Sequence, residues 1–274
     1  MATEITSVRA ARVQAARRLT KRAFRARDGR FLAEGPQAVR EALARPGTVV
    51  EMFATRDAAL RHPELVADPG APVHLVSGEV MSALSATVTP QGLVAVCTVL
   101  DRPLAEVLSA GPPSLVAVLA HARDPGNAGT VIRTADAAGA DAVLLTGDSV
   151  DPYNGKCVRA TAGSLFHLPV SVGASVDADL PALRRAGLRV LAADGHGDLD
   201  LDEADDGGVL DGPTAWVFGN EAWGLPESTR ALCDDVVRVP IHGRAESLNL
   251  ATAAAVCLYA SARARRGERR RPSG

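Results

Sequence analysis

The stretch LVAVLAHARDPGNAGTVIR, residues 115–133, decides the fold, because it joins an apolar strand to a helix through a proline-glycine turn. Residues 115–119 are continuously apolar, which is typical of a strand buried on both faces of a parallel sheet. Pro125 and Gly126 favour a turn, and Asn127 is a candidate N-cap for the following helix. The stretch therefore predicts a strand-turn-helix unit of an α/β domain.

Similar units recur through the second half of the chain. Further apolar strands are predicted at residues 142–145, 189–193, 215–218 and 236–239, alternating with helical stretches. This alternation predicts an α/β fold with a mostly parallel sheet covered on both faces. Ligands of such sheets bind beyond the carboxyl ends of the strands, so polar residues that directly follow a strand are the candidates for chemistry.

The first hundred residues predict a smaller α/β module. Helices are expected at residues 8–25 and 36–44, and short strands at residues 30–33, 49–54, 73–76 and 93–99. The next segment ends in Gly-Pro-Pro, which neither a helix nor a central strand accommodates, and is expected to be a linker. The expected organisation is a substrate-binding domain (1–100), a linker (101–113), a catalytic-type domain (114–266) and a basic tail (267–274).

Composition narrows the class of protein. The 274 residues are 47% hydrophobic and 23% charged, as in ordinary globular domains. No apolar run approaches the roughly 18 residues of a membrane span, and no secretory signal pattern follows the first arginines, so we expect a cytoplasmic protein without membrane insertion. The four cysteines are widely scattered, which disfavours a metal site or redox pair and favours buried small apolar residues.

Charge is distributed unevenly along the chain. Residues 1–45 hold eleven basic and four acidic residues. This excess of basic residues suits the binding of a polyanion such as nucleic acid, but a solvated helix face explains it equally well. The candidate contacts for nucleic acid are Arg17, Arg18, Lys21 and Arg22. The acidic, glycine-rich residues 195–212 are expected to form a solvated surface loop.

Three polar clusters follow predicted strands. The first cluster places Arg133 on the helix that follows Asn127. A capped helix that carries an exposed arginine is a simpler interpretation of this cluster than a chemical role. The second, Gly219 to Pro226, carries Glu221 at the sheet edge, where a surface glutamate in a turn is the alternative. In the third, helix capping would explain Ser247 but not Asn249. His121 and His242 beside these clusters are candidate bases or polar rim residues.

Several enzyme classes lose support because their motifs are absent from the sequence. No GxGxxG follows a predicted strand, no GxxxxGK[ST] phosphate loop occurs, and the nucleophile pattern GxSxG is missing. Nicotinamide chemistry, nucleotide hydrolysis and α/β-hydrolase chemistry are therefore disfavoured. The residues alone predict a ligand-binding α/β domain with a basic appendage, without defining the reaction.

Together and in this order, the clusters resemble the three motifs of the SpoU (TrmH) family of RNA ribose 2'-O-methyltransferases. The matching residues are Asn127-x-Gly129-x-x-x-Arg133, Gly219-Asn220-Glu221-x-x-Gly224, and Pro240-Ile241-x-Gly243 through Ser247-Leu248-Asn249. The resemblance covers roughly residues 114–262. A weaker likeness to the family's substrate-binding domain occurs at residues 31–35 and 89–93.

The resemblance implies a fold and a cofactor. The catalytic domain would carry a C-terminal deep trefoil knot, an exception to the rule that chains are unknotted. The knotted loops would bind S-adenosylmethionine through Gly219, Val239, Ile241 and Leu248. No metal is implied, and a homodimer would form through the helix after Ser247.

The resemblance also implies an activity, the methylation of a ribose 2'-hydroxyl in structured RNA. Arg133 would be the catalytic cation, with Asn127, Ser247 and Asn249 orienting it or the ribose and Glu221 fixing the loops or holding a donor. Ribosomal RNA is the favoured substrate; the alternatives are transfer RNA methylation and a non-catalytic RNA-binding or assembly role. Trp223 is expected either to stack an RNA base or to be buried.

Overall fold

The computed structural model describes residues 4–268, so the basic tail expected at residues 267–274 lies almost wholly outside the described residues. The chain divides into two compact units. The first comprises residues Met1–Leu100 and Asp151–His167, and the second Asp101–Val150 and Leu168–Gly274. The predicted break after residue 100 therefore coincides with a unit boundary, but the first unit also takes a segment from the middle of the chain.

The first unit contains a four-stranded sheet. Its strands are β1 (Arg30–Glu34), β2 (Val49–Ala54), β3 (Val73–Leu75) and β4 (Leu93–Thr98). They lie in the order β1-β4-β2-β3; β4 is antiparallel to both neighbours, and β2 and β3 are parallel. Its first helices are α1 (Ala11–Arg18), α2 (Arg22–Asp28), α3 (Pro36–Ala44), α4 (Arg56–Arg61), α5 (Pro63–Val66) and α6 (Gly78–Leu84).

The expectation of one helix over residues 8–25 was wrong, because α1 and α2 are separate. Arg25 accounts for the break. Its guanidinium donates to the carbonyl oxygens of Leu19 and Thr20, both at 2.9 Å, in the connection where α1 ends. It also donates to the carboxylate of Asp151 at 2.6 and 2.8 Å, and the Arg25 side chain is only 4% exposed. Arg25 therefore stabilises the fold and does not extend the basic surface.

Residues 151–167 were expected in the catalytic-type domain but belong to the first unit. They form α9 (Gly155–Ala160) and a 3-10 turn, Ser164–Phe166. Arg159 pairs with the mostly buried carboxylate of Glu34 at 3.0 Å, and the ring centroids of Tyr153 and Phe31 are 4.7 Å apart. Deleting residues 1–100 would expose this apolar segment, so point substitutions are the better probe of the first unit.

The second unit is built on a seven-stranded, all-parallel sheet, which confirms the predicted α/β class. The strands are β5 (Leu115–Leu119), β6 (Ala142–Thr146), β7 (Val170–Ala174), β8 (Arg189–Ala193), β9 (Leu199–Asp200), β10 (Thr214–Phe218) and β11 (Asp235–Arg238). Their order is β7-β6-β5-β10-β8-β11-β9. The four strands β5, β10, β8 and β11 are neighbours, so the polar residues that follow them meet at one edge of the sheet.

Helices cover this sheet. They are α7 (Leu104–Ser109), α8 (Pro125–Ala138), α10 (Val176–Arg185), α11 (Leu201–Asp206), α12 (Glu227–Arg230) and α13 (Leu250–Glu268). The expected linker, residues 101–113, contains α7, whose Leu104 and Val107 join the core of the second unit. The linker prediction was therefore incorrect over this helix, because only the Gly-Pro-Pro end of the segment resists helix formation.

The expectation of a solvated loop over residues 195–212 was also wrong, since the segment contains β9 and α11. Helix α11 begins with a capping box: the Asp200 carboxylate accepts from the backbone N–H of Asp202, and the Glu203 carboxylate accepts from the backbone N–H of Asp200. Leu201 and Ala204 are buried. The Asp-x-x-Glu pattern is the signal that sequence analysis overlooked.

A buried polar contact joins the C-terminal helix α13 to the sheet. The indole N–H of Trp216 donates to Ser261 Oγ at 2.9 Å, and the Thr214 hydroxyl lies 3.2 Å from the same oxygen. All three residues are 0% exposed. A buried donor that loses its acceptor retains the full penalty of leaving water, so Ser261 holds α13 at a defined position on β10.

We expect Ser261→Ala to lower the free energy of unfolding by about 1–3 kcal/mol, because it leaves the Trp216 indole N–H without an acceptor. Urea denaturation measures the loss. Adding Trp216→Phe removes that donor, so the penalty of Ser261→Ala should be smaller in the background of Trp216→Phe. Equal penalties in the two backgrounds would show that this hydrogen bond does not hold the helix.

Candidate active site

The first wall of the site is the turn between β5 and α8. Asp124, not Asn127 as predicted, is the N-cap of α8: its carboxylate accepts from the backbone N–H of Asn127 at 2.8 Å. Pro125 occupies the first turn, where the missing N–H is harmless. Because Asp124 caps the helix, the side-chain amide of Asn127 is available for contacts with other loops.

The second wall is the loop after β10, in which Asn220 and Gly224 exchange backbone hydrogen bonds of 2.8 and 2.9 Å. This tight loop lies against Gly219, where an added Cβ would overlap the carbonyl carbon of Gly224. Gly219 is therefore required by a close backbone approach. The amide of Asn220 donates to the carbonyl oxygen of His121 at 2.8 Å, which fastens the loop to the end of β5.

Glu221 joins the two walls. Its carboxylate accepts from the Asn127 side-chain amide at 3.1 Å and from the backbone N–H groups of Arg123 and Asp124, both at 3.3 Å. Partial burial raises the pKa of Glu221, but these hydrogen bonds, together with its own backbone N–H, outweigh burial and hold the pKa below its usual value. Glu221 is therefore an anion at neutral pH and joins the two loops through hydrogen bonds.

The third wall is the segment between β11 and α13. Asn249, not Ser247 as expected, caps α13: its side-chain oxygen accepts from the backbone N–H of Ala251 at 2.9 Å. Its amide nitrogen donates to the side-chain oxygen of Asn127 at 3.1 Å. The Asn249 side chain therefore both caps α13 and binds the first wall. This second contact explains why an asparagine occupies a position that helix capping alone did not account for.

Three of the five predicted catalytic residues are thus joined in one hydrogen-bonded chain, Asn249 to Asn127 to Glu221. Arg133 lies exposed on α8 and makes no hydrogen bond or ion pair with another described residue. Ser247 is exposed in the loop before α13, likewise without a polar partner among the described residues. The structure therefore assembles a rigid amide and carboxylate core and leaves a cation and a hydroxyl available to a ligand.

The predicted cofactor residues lie on the loops after β10 and β11. Ile241 and Leu248 expose 38% and 36% of their surface, although both are large apolar residues in a mostly polar loop. Val239 is half-buried, and Gly219 is buried because the Gly224 backbone fills the space where a side chain would lie. Exposed apolar side chains on a loop that follows a strand fit an adenine ring, so this arrangement suits the adenosine of S-adenosylmethionine.

Asp194, which follows β8, is a residue that sequence analysis missed. Its carboxylate accepts from the backbone N–H of His196 at 3.0 Å and of Leu225 at 3.4 Å, and Arg230 lies 3.6 Å away. Burial raises the pKa of Asp194, but these contacts outweigh it and leave the pKa below its usual value. Its position directly after a predicted strand was the available signal. Asp194 braces the second wall from the side of β8.

In the first unit, the predicted RNA contacts Arg17, Arg18, Lys21 and Arg22 are all exposed. None pairs with a carboxylate among the described residues, and Arg18 lies over the ring of Phe24 at 5.8 Å. Arg12 and Arg27 on the same helices are instead paired with Glu51 and Asp28. The four predicted residues therefore form a cationic surface without a direct ion pair to a described carboxylate.

Within residues 4–268, no helix is long and apolar enough to cross a membrane. The same residues contain no group of three histidine, cysteine or acidic side chains arranged to hold a metal ion. Cys97 and Cys257 are buried, and burial raises the pKa of each thiol to about 12.

The fold and the site define an α/β protein whose polar loop residues converge at the carboxyl edge of a parallel sheet. Comparison with known proteins makes the class definite. Residues 114–259 match the SpoU rRNA methylase family, and residues 10–95 match the MRM3-like substrate binding domain. The chain belongs to the SpoU rRNA methylase family, which confirms the predicted resemblance and the predicted class, an RNA methyltransferase that uses S-adenosylmethionine.

Named relatives extend the likeness over nearly the whole chain. The protein is 34% identical to the 23S rRNA (guanosine(2553)-2'-O)-methyltransferase RlmP of Bacillus subtilis (strain 168), over 93% of this chain and 98% of the relative. The AdoMet-bound rRNA methyltransferase of Sinorhizobium meliloti is 32% identical with a TM-score of 0.82, over 96% and 98% of the two chains. AviRb of Streptomyces viridochromogenes, in complex with AdoMet, is 31% identical with a TM-score of 0.82, over 94% and 98%.

A pH series of unfolding tests the role of the Glu221 charge. A carboxylate whose folded pKa is depressed stabilises the fold above its unfolded pKa of about 4.3, and the contribution is lost as pH falls through the folded pKa. We expect Glu221→Gln to be less stable than the wild type at pH 7, by about 1 kcal/mol or less because the side chain is exposed. The difference should shrink below about pH 4. A difference that stays constant from pH 7 to pH 3 would contradict this role.

Proposed function

We propose that this protein transfers a methyl group from S-adenosylmethionine to a ribose 2'-hydroxyl of ribosomal RNA. The observation that carries the proposal is the hydrogen-bonded chain of Asn249, Asn127 and Glu221, which joins all three family motifs at one sheet edge. The 23S rRNA substrates in the names of the relatives support ribosomal RNA over transfer RNA. The presence of Asn127, Arg133, Glu221, Ser247 and Asn249 argues against a purely RNA-binding or assembly role.

The residues around the cofactor position have distinct roles in this proposal. S-adenosylmethionine supplies an activated methyl group on a sulfonium. Ile241 and Leu248 would cover the adenine with apolar surface, and Gly219 would let the loop beside it close tightly on itself. The protein's main contribution is then to hold a ribose hydroxyl in line with the methyl carbon, which reduces the entropy lost in reaching the transition state.

Arg133 is the residue that we assign to the acceptor. A guanidinium stays protonated in proteins and is a poor base, so its role is to stabilise the developing alkoxide and to bind the adjacent phosphate. Because Arg133 has no ion pair among the described residues, its guanidinium is available for both contacts. Ser247, exposed on the opposite loop, and the amide of Asn127 would orient the ribose.

The basic surface of the first unit would bind the RNA backbone. Arg17, Arg18, Lys21 and Arg22 would neutralise phosphates and release counterions, a contribution that weakens as salt rises. In this proposal the first unit supplies affinity and position on the RNA, and the second unit supplies the reaction. Since ribosomal RNA is the proposed substrate, we expect the protein to work in the cytoplasm.

We further propose a homodimer formed through α13. This helix exposes Val256 and Tyr259 by 39% and 52%, although apolar residues of a monomer are usually covered when they lie together on one helix. An isologous contact between two copies would bury them. Passage of the segment before α13 through an earlier loop, the predicted trefoil knot, stays a prediction.

Methyl transfer to an unmodified 23S rRNA transcript tests the proposed function. The wild type should transfer a labelled methyl group from S-adenosylmethionine, and nucleoside analysis should locate the label on a ribose. We expect Arg133→Ala to lower kcat by about 100- to 1000-fold, because the developing oxyanion loses its cation. Its affinity for the cofactor, measured by calorimetry, should change little.

The matched control is Arg185→Ala, since Arg185 is an exposed arginine at the end of α10, just before β8 begins at the opposite edge of the sheet. This variant should keep wild-type activity. A label found on a base, or full activity of Arg133→Ala, would contradict the mechanism.

A further inference from the structure

Trp223 is the feature of the site that the proposed chemistry leaves without a role. The indole lies in the loop after β10, two residues beyond Glu221, and is 54% exposed. Sequence analysis left base stacking and burial as alternatives, and this exposure excludes burial within the chain. A half-exposed indole loses part of the hydrophobic stabilisation that burial would contribute, and its flat face is open to a ligand.

The indole is held in place by His121 at the end of β5. The centroids of the two rings are 5.3 Å apart and the rings are tilted by 50°. His121 adopts a φ of +62°, which residues with a side chain seldom adopt. Its backbone N–H donates to Thr146 Oγ1 at 3.1 Å, and its Nδ1 lies 3.2 Å from the Asp148 carboxylate. These contacts hold the histidine ring as a support for one side of Trp223.

The location of this pair relates it to the acceptor nucleotide. The amide of Asn220, in the same loop as Trp223, binds the carbonyl oxygen of His121, and Glu221 binds Asn127 across the same edge. Trp223 therefore borders the place where the proposed reaction requires the ribose. A ribose held there projects its base past the rim of the site. A base that leaves its stack in the RNA regains stacking on an exposed aromatic side chain.

We propose that Trp223 is a substrate-binding residue on which the base of the acceptor nucleotide stacks while its ribose is methylated. The proposal rests on the proposed function and adds to it the element that holds the nucleotide after it is unstacked. Stacking on an aromatic face tolerates any base, so Trp223 fixes the position of the nucleotide and does not read its identity. Selection of the nucleotide then belongs to contacts elsewhere.

Two substitutions separate the flat aromatic face from apolar bulk. Trp223→Phe keeps a ring, whereas Trp223→Leu keeps apolar volume without a ring. With an unmodified 23S rRNA transcript, we expect Trp223→Leu to lose roughly tenfold or more in kcat/KM, and Trp223→Phe to retain most of the activity. Calorimetric affinity for S-adenosylmethionine should match the wild type in both variants. Trp223→Leu with full activity, or with the same fractional loss as Trp223→Phe, would overturn the proposal.

A substrate lacking the base gives a second test that does not depend on the folding of a variant. Once the methylated nucleotide is located, a fragment with an abasic ribose at that position retains the 2'-hydroxyl and removes the stacking partner. The wild type should lose roughly tenfold or more in kcat/KM with this fragment, and Trp223→Leu should lose little further. No loss in the wild type, or equal losses in both proteins, would overturn the proposal. Failure of the wild type to methylate the intact transcript would instead reject the proposed function.

Discussion

The active site depends on one constraint, the hydrogen-bonded chain that joins Asn249, Asn127 and Glu221 across three loops. Its residues come from segments separated by as many as 122 positions, yet the side-chain contacts are 3.1 Å each. Two members also bind the backbone, since Asn249 caps α13 and Glu221 accepts from N–H groups at the start of α8. Loss of one contact would therefore disturb both a helix end and the geometry of a neighbouring loop.

The parallel sheet makes this convergence possible. Because β5, β10, β8 and β11 are neighbours that run in the same direction, the loops after them meet at one edge. Buried contacts away from that edge then hold the elements at fixed distances. Trp216 binds Ser261 and so holds α13 on the sheet, while Asp194 braces the loop that carries Glu221. Because other residues stabilise this frame, Arg133 and Ser247 can stay available to a ligand.

Local signals predicted much of this architecture from the sequence. The strands β5 and β8 match their predicted limits, since each is a short apolar run bounded by turn residues. Strand β7 was missed because Ser171 and Gly173 interrupt its apolar character, and the break between α1 and α2 was missed because it depends on Arg25 reaching Asp151. The assignment of residues 151–167 to the first unit depends on similarly distant contacts, which local patterns do not contain.

In the site, too, local sequence patterns predicted which residues matter, whereas contacts between distant residues decide what each of them does. The three motifs identified the residues, and Asn127, Glu221 and Asn249 do come together. Their structural roles were predicted less well, because Asp124 and Asn249 are the helix caps in place of Asn127 and Ser247. A capping residue is recognisable by type, but several candidates lay within three positions of each helix start. Only the contact between Asn249 and Asn127 decides which side chain faces the site.

The most direct test of the central claim is a double-mutant cycle on that contact, measured by methyl transfer to rRNA. Asn249→Ser keeps a residue that caps helices well but is too short to reach Asn127, and Asn127→Ala removes the partner. If the chain of hydrogen bonds acts as one unit, the double variant should be no less active than the worse single variant. Losses that multiply in the double variant would show that the two asparagines act independently, and would contradict the account.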